Sequence, residues 1–213
     1  MSRRFLDDRR RDPFYRAAQS EGLRSRAAFK LDYLDRRFRL LPRDGRVLDL
    51  GAAPGGWSVV AADRVGPRGR VVAVDPRPIE PIEGVRVVRG RVGDADLIAR
   101  LGPEPFDLVI SDMSPRISGA YATDHARSAE LVREALRLAE GVLDRGGAFA
   151  AKVFDGDLVA ELESEMERSF ARVHRTKPPA SREASSELYL VGVGFGRGRA
   201  RHRGPAPPRA SDI

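Results

Sequence analysis

The period of apolar and polar positions changes several times along this chain, and each change marks an element. In "SRAAFKLDYLDRRF", Ala27, Leu31, Leu34 and Phe38 recur at spacings of four, three and four. That is one face of a helix, with Ser25 placed to cap its start. Lys30 lies off the stripe. Further on, "RVLDL" (46–50), "RVVAVD" (70–75), "VRVVRG" (85–90), "FDLVISD" (106–112), "AFAAKVF" (148–154) and "LYLVGVGF" (188–195) read as strands. The first of these are near-continuous Val/Leu/Ile runs, as expected of strands covered on both faces of a parallel sheet. Helical patterns run from Trp57 to Val65 and from about His125 to Leu143, with Asp124 placed to cap the second. Strand and helix alternate, which predicts a doubly wound α/β fold.

In such a sheet the carboxyl ends of the parallel strands share one edge, and ligands bind in the crevice there. Gly51 follows the first strand, Asp75 ends the second, Asp112 ends the fourth and Lys152 lies near the end of the fifth. An acid at such a place either caps the next helix or serves a site, and the set as a whole favours a site.

The loop "LDLGAAPGGWS" adds the character of the ligand. Its glycines allow a tight turn, and a helix opens behind it with unpaired N–H groups. The pattern lacks the second glycine of a dinucleotide fingerprint and carries Pro54 where N–H groups would face a pyrophosphate. It therefore suits a nucleoside without a pyrophosphate better than NAD. Asp75, about two dozen residues on, suits the paired hydroxyls of a ribose.

Charge brings in the partner. Residues 1–43 hold 13 basic and 6 acidic side chains, residues 197–213 hold 5 and 1, and the middle, 44–196, holds 20 and 24. A slightly acidic body with a basic head and tail points to a polyanion, most often nucleic acid. The tail "GRGRARHRGPAPPRASDI" has the composition of a disordered tether. The chain has no cysteine, which removes disulfides, thiolate metal sites and cysteine nucleophiles. No apolar run reaches 18 residues, and "MSRRFLDDRRRDPF" leads into no apolar signal core, so a cytoplasmic protein is expected.

Only three of the 38 basic residues are lysines: Lys30, Lys152 and Lys177. Arginine cannot give up its proton in a protein, whereas lysine can and so can act as a base. A lysine near the end of an apolar strand, in a chain that otherwise uses arginine, is either chance or chemistry.

The stretches "RSRAAFKL", "VLDLGAAPGGWS", "VISDMSP", "AFAAKVFDGD" and "SREASSELYLV" together resemble the FtsJ/RrmJ-type (RlmE-like) family of S-adenosylmethionine-dependent RNA ribose 2′-O-methyltransferases. The similarity runs in order from about residue 14 to 195, and the N-terminal part is most like the archaeal members. It implies a Rossmann-like fold with a mostly parallel seven-stranded sheet, an antiparallel last strand and helices on both faces. It also implies one methyltransferase domain over 1–196, with 1–43 as a basic helical segment carrying Lys30 and 197–213 as a tail. The implied catalytic set is Lys30, Asp112, Lys152 and Glu187. Lys152 would be the base or the group that steers the hydroxyl, Lys30 the neighbouring cation, and Glu187 and Asp112 the carboxylates that balance the lysines. The implied cofactor residues are Gly51, Gly55, Trp57, Asp75, the backbone of Val92, and Asp112 facing the sulfonium or methionine amine. Trp57 is equally suited to packing the helix on the core. Where the family carries an acid after strand three, this chain has Arg91, which leaves Asp94 and the Val92 N–H for the adenine. Arg116, where relatives often carry Asn, and Lys177 are candidates for RNA phosphate.

The resemblance implies a uridine of large-subunit rRNA, alone or in a ribosomal particle, as the acceptor, with no metal required. A tRNA ribose is the alternative acceptor, and a non-catalytic RNA-binding or ribosome-assembly protein is the alternative of another class. Pyrimidine C5 methylation through a cysteine adduct is excluded by composition.

Overall fold

A computed structural model describes residues 27–181 and 185–196. The expected cap Ser25, most of the basic head and the tail lie outside them. Helix α1 (Ala27–Phe38) leads into strand β1 (Arg46–Leu50), helix α2 (Gly56–Val65) and strands β2 (Arg70–Asp75) and β3 (Val85–Arg89). Short helix α3 (Leu97–Leu101), strand β4 (Phe106–Ser111), helix α4 (Tyr121–Val142) and strand β5 (Leu143–Phe154) follow. Helix α5 (Val159–Met166) and strands β6 (Phe170–Thr176) and β7 (Glu187–Phe195) complete the order.

The strands form one seven-stranded sheet in the order β3-β2-β1-β4-β5-β7-β6. Neighbours from β3 to β5 run parallel, and β7 lies antiparallel between β5 and β6. The chain reverses across β1, with β2 on one side and β4 on the other, so the crevice opens there. Successive residues of the central strands serve opposite layers. Val109 joins the core beneath α3, α4 and α5, while Leu108 and Ile110 join the one beneath α1 and α2. Both layers being apolar explains the unbroken hydrophobic runs.

Leu31 and Leu34 are fully buried against α2, as their spacing predicts. Two boundaries differ from the pattern. Helix α4 begins at Tyr121, so Asp124 lies in its first turn instead of capping it. The Asp124 carboxylate reaches back to the N–H groups of Ser118 (2.8 Å) and Gly119 (3.0 Å), holding the preceding loop. Strand β5 starts at Leu143, directly after α4, through a register shift against β4. Among the described residues no helix is long and apolar enough to cross a membrane.

Candidate active site

Two lysines and two carboxylates meet at the rim where β4 and β5 end and β7 begins. In the antiparallel pairing, Lys152 of β5 stands opposite Tyr189 of β7, and Phe154 stands opposite Glu187. The two-residue period puts Glu187 and Tyr189 on the same face as Lys152. Lys152 Nζ donates to the backbone oxygen of Asp112 at 2.9 Å and lies 3.2 Å from its Oδ1 and 3.7 Å from Glu187 Oε1. Lys30 arrives from α1, and its Nζ donates to Glu187 Oε2 at 2.7 Å. Glu187 therefore stands between the two lysines, one carboxylate oxygen toward each. Burial pushes its carboxyl up, but the charges of Lys30 and then Lys152 outweigh that and hold it below the usual range.

Lys30 owes its place to Trp57. The indole is buried at the start of α2, and its Nε1 donates to the backbone oxygen of Ala27 at 2.6 Å. An ion pair between Arg64 of α2 and Asp32 of α1 fixes the helices further along. Trp57 packs the core and also lines the cleft that Asp112 lines.

That cleft has a volume of about 690 Å³ and runs from Ala27 and Trp57 across the glycine loop to Asp94. Gly51, Val92 and Asp112 line it with Asp75. Gly51 adopts φ +73°, and a Cβ there would meet Met113 Cγ at 2.4 Å. Gly55 does not line the cleft; it turns the chain into α2 at φ 103°. Asp75 accepts from the Ala53 N–H at 3.0 Å and from Arg77, whose Nε lies 3.1 Å away. Despite burial, the Arg77 and Ala53 hydrogen bonds hold the Asp75 carboxyl below its ordinary value. The Arg77 guanidinium donates to both Asp75 oxygens. Asp94 Oδ2 accepts from the Arg91 N–H (2.9 Å) and from Arg100 (3.1 Å), so it braces the turn that carries Val92. Arg116 and Lys177 are exposed, and Lys177 Nζ donates to Ser185 O at 2.7 Å.

Asp49 is the carboxyl that pattern reading passed over, hidden inside the apolar run "RVLDL". It lines the cleft floor and accepts from Ser58 Oγ at 2.6 Å. Burial, reinforced by the negative charges of Asp112 and Asp75 against the Ser58 hydrogen bond, pushes it up to about 7. Three carboxyls that repel one another along one cleft fit a cationic ligand and oppose a pyrophosphate. The cleft, which Asp75 and Val92 also line, thus fits S-adenosylmethionine, which carries a sulfonium and an ammonium. Among the described residues no three His, Asp or Glu side chains group closely enough to hold a metal ion.

The family model described as "FtsJ-like methyltransferase" matches residues 23–195. The chain belongs to this family. Among curated relatives, "Ribosomal RNA large subunit methyltransferase E" of Methanothermobacter thermautotrophicus is 44% identical over 92% of this chain and 95% of the relative. The protein of the same name from Haloarcula marismortui is 44% identical over 95% of this chain and 79% of the relative. A bacterial one, from Sphingopyxis alaskensis, is 48% identical over 91% and 85%. Of solved structures, a ribosomal RNA methyltransferase from Plasmodium falciparum superposes with a TM-score of 0.75 at 28% identity, covering 83% of this chain and all of that one.

In this FtsJ-like chain a further site residue was missed by sequence reading. Tyr189 is fully buried, donates from its hydroxyl to Asp112 Oδ1 at 2.6 Å, and has its ring 5.7 Å from Lys30 Nζ and 5.7 Å from the Trp57 ring. The signal was present in its spacing, two residues after Glu187 on the same strand face.

Proposed function

We propose that this chain transfers the methyl group of S-adenosylmethionine to a ribose 2′-hydroxyl of large-subunit rRNA, in the cytoplasm, acting on the RNA or on a ribosomal particle. The observation that carries the reading is Glu187 set between Lys30 and Lys152, 2.7 and 3.7 Å away, with Lys152 joined to Asp112 on the wall of a cleft suited to the methyl donor. Membership of the family and the names of the relatives support the substrate class.

When bound, the cofactor supplies a methyl group made electrophilic by its sulfonium. The residues of the chain then have two tasks, aligning the hydroxyl and managing its proton. Lys152 Nζ would hold the hydroxyl oxygen of the acceptor and take up its proton as the methyl group is transferred. Glu187 keeps the Lys30 ammonium close without letting it drift into the acceptor's place. Asp112 fixes Lys152 through its backbone oxygen and adds its carboxylate to the acidic wall that would face the ligand's cation. Trp57 and Tyr189 exclude water from the inner wall.

The test is methyl transfer from tritiated S-adenosylmethionine to large ribosomal subunits from a strain lacking the enzyme, followed by mapping of alkali-resistant ribose positions. A single modified ribose in the large-subunit RNA is the expected result. Tight RNA binding without transfer would instead mark a binding protein, and label confined to tRNA would move the substrate.

A further inference from the structure

Resting on that function, we propose that a second cleft beside the tetrad receives the base of the acceptor nucleotide, unstacked from its RNA and laid against the exposed ring of Tyr121. This cleft, of about 430 Å³, is lined by Ser114, Ile117, Tyr121, His125 and Phe154, and closed at one end by Glu187. Ser114 lines the cofactor cleft as well. The two clefts therefore meet at the loop after β4, with Asp112 on the wall of one and Glu187 on the wall of the other. An acceptor held in the second would thus lie beside a methyl group held in the first.

The second cleft is built to present one flat face. His125 is buried, and the Leu158 N–H donates to its Nε2 at 3.1 Å. Nε2 is thus the unprotonated nitrogen, and Nδ1 carries the hydrogen that goes to Phe154 O at 3.0 Å. Gly156 leaves room for this ring, since a Cβ there would lie 2.7 Å from it. The Tyr121 ring stacks on the fixed imidazole at 6.2 Å with planes 11° apart, and its hydroxyl donates to Asp155 O. One face of Tyr121 is supported and its far end is tied, yet the residue is 62% exposed. Ile117 beside it is 61% exposed.

An immobilised aromatic left open to solvent loses little freedom when a base stacks on it, and such stacking tolerates any base. The surroundings select a nucleotide over an apolar peptide. Arg116, Arg127 and Lys177 are exposed near the cleft; Arg127 reaches Arg116 O at 3.5 Å, and Lys177 reaches Ser185 O at 2.7 Å beside the lining residues Ser185 and Ser186. The oxygens of Asp124, the other carboxylate in the lining, are held by Ser118 and Gly119. An unpaired nucleotide supplies both the flat base and the phosphates this combination asks for.

The experiment compares full-length wild type with Tyr121→Ala, Tyr121→Leu and Tyr121→Phe. It measures the KM and Kd for large ribosomal subunits from the deletion strain, and the Kd for S-adenosylmethionine. Loss of one stacked base weakens RNA binding by about 10- to 100-fold. That loss is expected in KM and Kd for both Ala and Leu, while Phe stays within about threefold of wild type by the same reasoning. The cofactor Kd should be common to all four, which also shows that they fold. Unchanged RNA binding in Ala and Leu overturns the proposal, as does a loss in Phe equal to that in Ala, because Phe keeps the ring face. If wild type binds the subunits without methylating them, the proposed function falls, whereas the cleft still stands or falls on the Kd differences.

Discussion

Lys152 and Tyr189 face each other across β5 and β7 and reach the same atom, Asp112 Oδ1, at 3.2 and 2.6 Å. The tyrosine thus sets the position of the carboxylate that the lysine leans on. Burial, then the negative charge of Asp112 and the hydrogen bond to it, pushes the Tyr189 hydroxyl well up, so it remains a donor throughout the working pH range. Tyr189→Phe leaves the ring and removes the donor. Hydrogen bonds to charged groups contribute about 1.5–3 kcal/mol, so kcat should fall about 10- to 100-fold by that measure. Single-turnover methyl transfer checks this, and a variant as fast as wild type would remove Tyr189 from the site's support.

Lys152→Arg separates charge from proton transfer. A guanidinium keeps the positive charge and donates to Asp112 but accepts no proton. Transfer should drop by at least about 10²-fold, the lower range for a lost general base, while cofactor affinity measured by calorimetry stays near wild type. Turnover preserved in the arginine variant would leave Lys152 with positioning alone.

Trp57→Phe probes how the N-terminal helix is held. The substitution keeps an aromatic ring against Tyr189 but deletes the 2.6 Å bond to Ala27 O. A hydrogen bond of this kind is worth about 0.5–1.5 kcal/mol net, so Tm should fall by about 1–6 °C for a chain of this size. Because Lys30 lies one turn along α1 from Ala27, kcat should fall beyond what the loss of stability explains. Hydrogen exchange over residues 27–31 reads the loosening directly.

How far the sequence carried these conclusions depended on burial. Strands β1, β2 and β4 were legible because both faces are covered and the runs are continuously apolar. Strand β6, "FARVHRT", went unread because it is an edge strand with a half-polar, half-exposed pattern. Helix α5 spans only 8 residues, with three buried positions, Val159, Leu162 and Met166, too few to outweigh its glutamates. Lys30, Asp112, Lys152 and Glu187 were named by motif, but their mutual arrangement was not: Glu187 as the shared partner of both lysines follows from the β5–β7 register. Asp49 was invisible for the opposite reason, being a single acid inside an apolar strand, where alternation offers no signal.

That same burial makes Asp49 a pH sensor for the cofactor cleft. Its carboxyl sits at about 7 in the folded protein against an ordinary 3.8, so the folded state holds a proton that the unfolded chain has released. The stabilising contribution of the neutral form is complete below the unfolded value and is lost as pH rises through about 7. Asp49→Asn keeps an acceptor for Ser58 and fixes neutrality. Its Tm should match wild type near pH 4 and exceed it at pH 8 by on the order of 10 °C. Cofactor binding should respond in the opposite sense. A cation entering between Asp49, Asp75 and Asp112 favours the ionised form, so wild-type affinity should rise with pH through about 7 and be accompanied by proton release. In the asparagine variant both the slope and the released proton should vanish. Calorimetry in two buffers of different ionisation enthalpy measures that proton, and equal release by the two proteins would place the titration elsewhere.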